Sequence, residues 1–178
     1  LDGTLSDDDA RIERMAGICR HYGVSVEAER ISTAANVYAR EQESNRRVVP
    51  GMHNLLTALD GRILIGVITN GPSERQREKL DFCNIYAESL DALAISEEVG
   101  ATKPHPAIFQ KAVSDFGAAP EEIVVIGDSW PNDVLGALGS GLGAVWLNRY
   151  RQTCPNPLLA SEIKGLEPIS DILQTLGF

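Results

Sequence analysis

The chain has 178 residues, of which 43% are hydrophobic, enough for one domain of ordinary size with its own hydrophobic core. Its 25 acidic and 16 basic side chains give a formal net charge of −9. That balance disfavours nucleic acid as a partner, because phosphate backbones are bound by clustered lysine and arginine side chains.

Cysteine spacing and hydropathy indicate the compartment in which the protein works. Cys19, Cys83 and Cys154 are odd in number, far apart and outside any Cys-x-x-Cys pair, which favours reduced thiols over disulfides. No apolar run approaches the ~20 residues that a membrane-spanning helix needs, and the first residues are acidic, unlike a secretory signal. We therefore expect a soluble, cytoplasmic protein with no membrane partner.

The N-terminal part of the chain has the pattern of a small helical unit. From Asp7 to Tyr22, apolar residues recur at three- and four-residue steps, which is the period of a helix. The acidic run at its start would lie in the first helical turn, where negative charge favours the helix dipole, so it needs no metal. A second helix is expected from Val26 to about Arg40, and Pro50-Gly51 then interrupts the helical pattern.

Beyond Pro50, short β-branched runs alternate with helical segments. Continuous apolar strands that alternate with helices indicate a parallel sheet covered on both faces. The predicted strands are 62–69, 92–96, 123–126 and 144–147, and the predicted helices are 53–59, 73–80, 106–116 and 132–138.

Polar residues follow these predicted strands at the points where the strands end. Thr69-Asn70-Gly71 follows the first strand, Asp128 follows the third, and Lys103 precedes the helix at 106–116. Asp2 would occupy the same edge if a strand preceded Leu1. Because the carboxyl ends of parallel strands meet at one edge of a sheet, we expect these segments to converge there.

The chemistry of this set points to a phosphorylated ligand. Carboxylates at Asp2, Asp128 and Asp133 would repel one another unless a cation lay among them, and Mg²⁺ accepts one or two protein carboxylates together with substrate phosphate. The Thr69 hydroxyl and nearby backbone N–H groups can donate to phosphate oxygens, and Lys103 can neutralise their charge. The set therefore predicts a hard divalent ion and a phosphate group, but it contains no evident nucleophile.

Four motifs together resemble the haloacid dehalogenase superfamily. Their order, their spacing and their positions at strand ends match that family over essentially the whole chain. The resemblance implies an α/β fold with a Rossmann-like, doubly wound parallel sheet formed by residues 1–5 and 51–178. A small helical cap, residues 6–50, would be inserted after the first motif. The four motifs are Asp2-Gly3-Thr4-Leu5, VITNG at 67–71, Lys103-Pro104 with the helix that follows, and GDSWPND at 127–133.

The first motif of the family reads Asp-x-Asp-Gly-Thr, and Leu1 and Asp2 match its second and third positions. The nucleophilic aspartate is therefore expected immediately before Leu1, at the end of a first strand that the sequence lacks. We expect the full reading frame to contain an apolar run ending in aspartate at that place, and any other residue there would contradict the enzymatic interpretation.

The resemblance also implies a reaction. The missing aspartate would attack phosphorus to form an aspartyl-phosphate, which water then hydrolyses. Asp2 would protonate the leaving oxygen and then activate the water. Thr69 and Lys103 would complete the catalytic set, with Thr69 holding a phosphoryl oxygen and Lys103 offsetting the charge of the nucleophile and the phosphoryl group.

Ligand-binding roles are implied for the remaining motif residues. Asn70 and Gly71 would bind the phosphoryl group beside Thr69 and Lys103. Asp128 would ligate Mg²⁺ directly, and the backbone carbonyl of Asp2 would contribute a second oxygen. Asp133 would support the ion through a water molecule or through Lys103.

Residue types separate some activities within the superfamily. Asp2 argues against a dehalogenase, which lacks an acid at that position, and residues 6–50 contain no lysine, which excludes a phosphonate hydrolase that forms a Schiff base from its cap. We therefore expect a phosphatase acting on a small phosphorylated metabolite, such as a 5′-nucleotide or a sugar phosphate. A phosphomutase, for which the cap is short, and a non-catalytic binding or scaffold protein on this fold are the alternatives.

Overall fold

The computed structural model describes residues 7–178, and the chain divides into two compact units between Arg47 and Val48. The first unit contains helices α1 (Asp7–His21) and α2 (Ala28–Ser44). Helix α2 continues past the predicted end at Arg40, because the polar residues that follow are good helix formers and Asn45 caps the helix through its backbone N–H and side chain, both bonded to the Glu41 carbonyl oxygen. The assignment of residues 6–50 as a cap stays a prediction.

The second unit, from Val48 to Phe178, alternates strands with helices, as the sequence predicts. Its strands are β1 (Gly66–Thr69), β2 (Ala92–Ile95), β3 (Val124–Gly127), β4 (Gly143–Leu147) and β5 (Ser161–Ile163). Its helices are α3 (Met52–Leu59), α4 (Ser73–Phe82), α5 (Ser96–Val99), α6 (Pro106–Phe116), α7 (Leu135–Gly139) and α8 (Ile169–Leu176).

All strand pairs in the described residues are parallel. Strand β1 pairs with β2, so that Thr69 lies opposite Ile95 at their carboxyl ends. Strand β4 lies between β3 and β5, with Gly127 opposite Trp146. The predicted α/β architecture with parallel strands and covering helices is confirmed, and within residues 7–178 it comprises a two-stranded and a three-stranded sheet.

Two hydrophobic clusters hold these layers together. One joins α3 to β4, β5 and α8, and the other joins α6 to β2 and α7. Helix α6 shows why the sequence folds in this way. Nδ1 of His105 accepts a hydrogen bond from the Ala107 N–H and so caps the first turn, and Pro106 occupies the first helical position. Gly117, with a φ of 62°, ends the helix. Its fully buried Phe109 stabilises the fold by about 1.5–3 kcal/mol.

Several predicted boundaries change in the structure. Strand β1 begins at Gly66 rather than Arg62, because the Ile65 N–H donates to the Asp91 carboxylate at 2.8 Å instead of entering a strand ladder. The helix predicted at 132–138 is a π-helical turn at Trp130–Val134 followed by α7. Strand β5 and helices α5 and α8 were not predicted. Strand β5 has only three residues, two of them polar, and so carries little strand pattern. Within residues 7–178, no helix combines the length and apolar character needed to span a bilayer.

Candidate functional site

The turn after β1 is built from Thr69, Asn70 and Gly71. The Thr69 hydroxyl donates to Gln76 Oε1 of α4 at 2.8 Å, and the Gly71 N–H donates to Ser96 Oγ at 2.9 Å. Gly71 has a φ of 137°, and a Cβ atom there would lie 2.3 Å from Gln76 Nε2, so both the conformation and the close approach require glycine. Two buried polar side chains, Gln76 and Ser96, therefore fix the turn.

Asn70 connects this turn to Lys103 across 33 positions of sequence. Its Oδ1 accepts a hydrogen bond from the Lys103 backbone N–H at 2.8 Å, and its Nδ2 donates to the Lys103 carbonyl oxygen at 3.2 Å. Both polar atoms of the Asn70 amide are thus engaged with one residue of the facing loop.

The Lys103 ammonium lies at the end of β1 in a largely enclosed position. It donates to the Ile68 carbonyl oxygen at 2.9 Å and to Asp133 Oδ1 at 2.7 Å. The side chains of Lys103 and Asp133 are 15% and 8% exposed. At that burial an ion pair depends on good geometry and extra hydrogen bonds, because desolvating both charges is costly.

The second carboxylate oxygen of Asp133 supplies such a bond. Asp133 Oδ2 accepts from the Ser129 N–H at 2.9 Å, which closes the loop that follows β3. The neighbouring Gly127 leaves room for this side chain, since a Cβ atom at Gly127 would lie 2.3 Å from Asp133 Cβ. Both carboxylate oxygens of Asp133 therefore accept hydrogen bonds, and its position depends on the absence of a side chain at Gly127.

Replacing Gly127 with alanine should destabilise the protein by about 1–3 kcal/mol, because the added methyl group displaces Asp133 from a packed site. Chemical denaturation measures the effect. Gly139→Ala is the matched control: its added Cβ meets no atom within 4 Å, and alanine within a helix should be neutral or stabilising by up to about 1 kcal/mol. Equal stability of Gly127→Ala and the control would contradict the packing.

Asp128 is more open than Asp133, with a side chain 42% exposed. Its backbone carbonyl accepts a hydrogen bond from the Trp146 indole N–H at 3.1 Å. Its Oδ2 accepts from the Arg149 guanidinium at 2.9 Å. The rings of Trp130 and Trp146 pack edge to face at 5.2 Å, so both tryptophans of the chain lie beside this residue.

A second polar cluster joins α4 to α5. Glu97 accepts from the Ser73 N–H, while Glu98 accepts from the Ser73 hydroxyl and from Arg77. The hydrogen bond from Ser73, followed by that from Arg77, holds the pKa of Glu98 below its ordinary value. These contacts attach the first turn of α4 to α5, the helix that contains Ser96.

The structure brings most of the sequence-predicted residues into contact. Thr69, Asn70 and Gly71 lie in one turn. Both Asn70 and Asp133 contact Lys103. Asp128 is next to Ser129, whose backbone N–H donates to Asp133. Asp2 lies outside the described residues. Among residues 7–178 no group of three or more His, Cys, Asp or Glu side chains is arranged to hold a metal by itself.

Sequence reasoning missed four residues whose side chains contact this set: Gln76, Ser96, Trp146 and Arg149. Ser96 stood at the carboxyl end of a predicted strand, so the strand-end rule could have found it. Gln76 lies within a polar helix and Arg149 follows β4, and neither position carried a signal that separates it from ordinary surface residues.

The chain matches known hydrolases over most of its length. A family model for haloacid dehalogenase-like hydrolases covers residues 2–141. The chain is 37% identical over 127 residues to the Escherichia coli pyrimidine 5′-nucleotidase YjjG, covering 70% of this chain and 56% of that protein. It is 36% identical to a phosphoserine phosphatase of Thermus thermophilus, covering 68% of this chain and 48% of that protein. The chain thus spans about half the length of these curated relatives.

A solved structure of similar fold is the HAD-hydrolase YfnB of Bacillus subtilis, which was crystallised with magnesium bound. The two structures superpose with a TM-score of 0.72 at 24% identity, over 97% of this chain and 75% of that chain. The likeness is one of fold.

Proposed function

This chain belongs to the haloacid dehalogenase-like hydrolase family, and we propose that the full-length protein is a magnesium-dependent phosphatase that hydrolyses a small phosphorylated metabolite. The observation that supports the proposal best is the Lys103 ammonium, which is held beside the Thr69–Gly71 turn by Ile68 and Asp133. A fixed cation next to a hydroxyl group and a glycine turn suits a phosphoryl group.

Lys103 and Thr69 have complementary parts in this proposal. An ammonium group has three N–H donors, and two of those of Lys103 point to Ile68 O and Asp133 Oδ1. Within residues 7–178 these two are the acceptors of its ammonium, and the third N–H would donate to a phosphoryl oxygen, so that Lys103 would stabilise the charge of the transferring group. The Thr69 hydroxyl has one proton, which it donates to Gln76 Oε1 in this structure, and it would turn that proton to a second phosphoryl oxygen when substrate binds.

The covalent step is proposed from the first motif. A carboxylate directly before Leu1 would attack phosphorus, form an aspartyl-phosphate and release the alcohol, and water would then cleave the acyl–phosphate bond. Asp2 would give the proton to the leaving oxygen and take one from the attacking water.

The residues present fit a magnesium ion. Asp128 offers a partly exposed carboxylate at the end of β3, with one oxygen paired to Arg149, and Mg²⁺ needs only one or two protein carboxylates because it keeps several waters. We propose Asp128 as a direct ligand together with the backbone carbonyl of Asp2. Asp133, whose two oxygens accept from Lys103 and Ser129, would act through a water molecule or through Lys103. When bound, the ion would shield the carboxylates from the phosphate charge.

The substrate class follows from the relatives. One is a pyrimidine 5′-nucleotidase, another a phosphoserine phosphatase and a third an N-acylneuraminate-9-phosphatase, and all three names denote small phosphate monoesters as substrates. We propose a 5′-nucleotide or a sugar phosphate as the substrate.

The test is hydrolysis of p-nitrophenyl phosphate by the full-length protein, with Mg²⁺ and with excess chelator, followed by a panel of nucleotides and sugar phosphates. Thr69→Val should lower kcat/KM roughly 100-fold, since a hydrogen-bond donor to the transferring group is lost. Thr57→Val, an exposed threonine of α3, is the control and should match wild type. Full activity in chelator would refute the magnesium requirement, and no hydrolysis of any ester would favour a binding protein.

A further inference from the structure

We infer that Asn70 is a positioning residue for Lys103, and that its side chain is not a phosphate ligand. The inference rests on the proposed function, because it concerns how Lys103 is presented to the phosphoryl group. It also departs from the sequence-based expectation, which placed Asn70 among the phosphate-binding residues.

The loop that contains Lys103 lacks the usual backbone support. Lys103 lies between α5 and α6, outside any strand or helix, so no ladder of backbone hydrogen bonds holds its Cα position. Loops of this kind need side-chain partners for their backbone groups. Asn70 supplies a partner for both backbone groups of Lys103, the N–H at 2.8 Å and the carbonyl oxygen at 3.2 Å.

The two hydrogen bonds between the Asn70 amide and the Lys103 backbone resemble the pair that two neighbouring strands exchange. A side-chain amide presents an acceptor and a donor side by side, as a peptide group does, and Asn70 uses both on the same residue. The Lys103 side chain then runs back to the end of β1, where its ammonium donates to the Ile68 carbonyl oxygen at 2.9 Å. Both ends of Lys103 are therefore attached to the end of β1, its ammonium to Ile68 and its backbone to Asn70 directly after the strand, which restricts the rotamers of a long side chain.

Helix α7 also packs against this loop. Gly136 of α7 lies so close that a Cβ atom there would be 3.1 Å from Pro104 Cα and 2.7 Å from the Phe109 ring. The loop therefore contacts both α7 and the Asn70 amide. Removing that amide would leave the backbone N–H and carbonyl of Lys103 without these partners and would loosen the placement of its ammonium beside Asp133.

Two roles for Asn70 give different results in a double-mutant cycle. If Asn70 acts through Lys103, then the two substitutions are not additive, because the loss of the ammonium removes what Asn70 positions. If Asn70 binds phosphate itself, its removal costs the same factor with or without Lys103. The cycle is measured as kcat and KM for p-nitrophenyl phosphate in the full-length protein.

We expect Asn70→Ala to lower kcat/KM about 100-fold, mostly through kcat, since a small displacement of a group that serves the transition state has an effect of that size. In a Lys103→Met background, folded at the assay temperature by its melting curve, the same change should alter the residual rate by less than about threefold. A larger loss in that background would overturn the inference. Asn54→Ala, at an exposed asparagine of α3, is the matched control and should leave both constants unchanged.

A second measurement is independent of turnover, so it separates this inference from the proposed function. The chain contains four lysines, Lys79, Lys103, Lys111 and Lys164, so the ¹³Cε signals of the [¹³C]lysine-labelled protein are few, and the Lys103 signal can be assigned by its loss in Lys103→Arg. Asn70→Ala, or Asn70→Asp if the alanine variant does not fold, should shift the Lys103 signal and leave that of Lys164 in place. An unmoved Lys103 signal would overturn the inference even in a protein that hydrolyses no ester.

Discussion

Asp128→Ala should lower kcat/KM roughly 1,000-fold while changing the free energy of unfolding by less than about 1 kcal/mol. The activity loss follows because the proposed metal ligand supplies several kcal/mol of charge stabilisation, and each 1.36 kcal/mol is a factor of ten in rate. The stability change is small because the side chain is 42% exposed and its pair with Arg149 lies at the surface, where such pairs contribute about 0–1 kcal/mol.

Tryptophan fluorescence gives this prediction a direct readout of metal binding. Trp146 donates to the Asp128 carbonyl and packs against Trp130, so Mg²⁺ binding at Asp128 should change the emission of the wild type and leave Asp128→Ala unaffected. Asp60→Asn removes an exposed carboxylate at the end of α3 and should titrate like wild type. Retention of activity and of the fluorescence change by Asp128→Ala would exclude it as the metal ligand.

Lys103→Met should impair both activity and stability. Its ammonium is the proposed partner of the phosphoryl group, and losing such a group costs roughly 100- to 1,000-fold in rate. It also leaves Asp133, whose side chain is 8% exposed, without its cation. Breaking one side of a buried ion pair typically costs about 3–5 kcal/mol, and the remaining hydrogen bond from Ser129 places the expected loss near the lower end.

A second substitution separates the two effects of Lys103→Met. Adding Asp133→Asn removes the unpaired charge, so the double variant should regain most of the lost unfolding free energy, as measured by denaturation, without regaining activity. Lys111→Met, which breaks the exposed pair with Asp115, is the control and should cost no more than about 1 kcal/mol. If Asp133→Asn failed to restore any stability, the buried pair would not be the cause of the loss.

Local sequence by itself determined most of the elements that carry this site. The apolar spacing, the cap at His105 and the glycine at 117 place α6 at its observed bounds, because these signals act within one or two turns of chain. The apolar runs before Thr69 and Asp128 likewise predict strands whose ends meet at one edge. The strand-end rule therefore selected Thr69 and Asp128, and the start of the next helix selected Lys103, without any knowledge of their contacts.

Only the tertiary structure decided what each of these side chains touches. Asn70 and Lys103 are 33 residues apart, and Lys103 and Asp133 are 30 apart, so their pairing depends on how α5, α6 and the loop after β3 pack around β1. The same packing brought Gln76 to Thr69 and Arg149 to Asp128, contacts that no local pattern predicts. Periodicity and capping describe a residue's neighbours along the chain, whereas a hydrogen bond between two loops depends on distances of a few ångströms that are set by the packing of the whole unit.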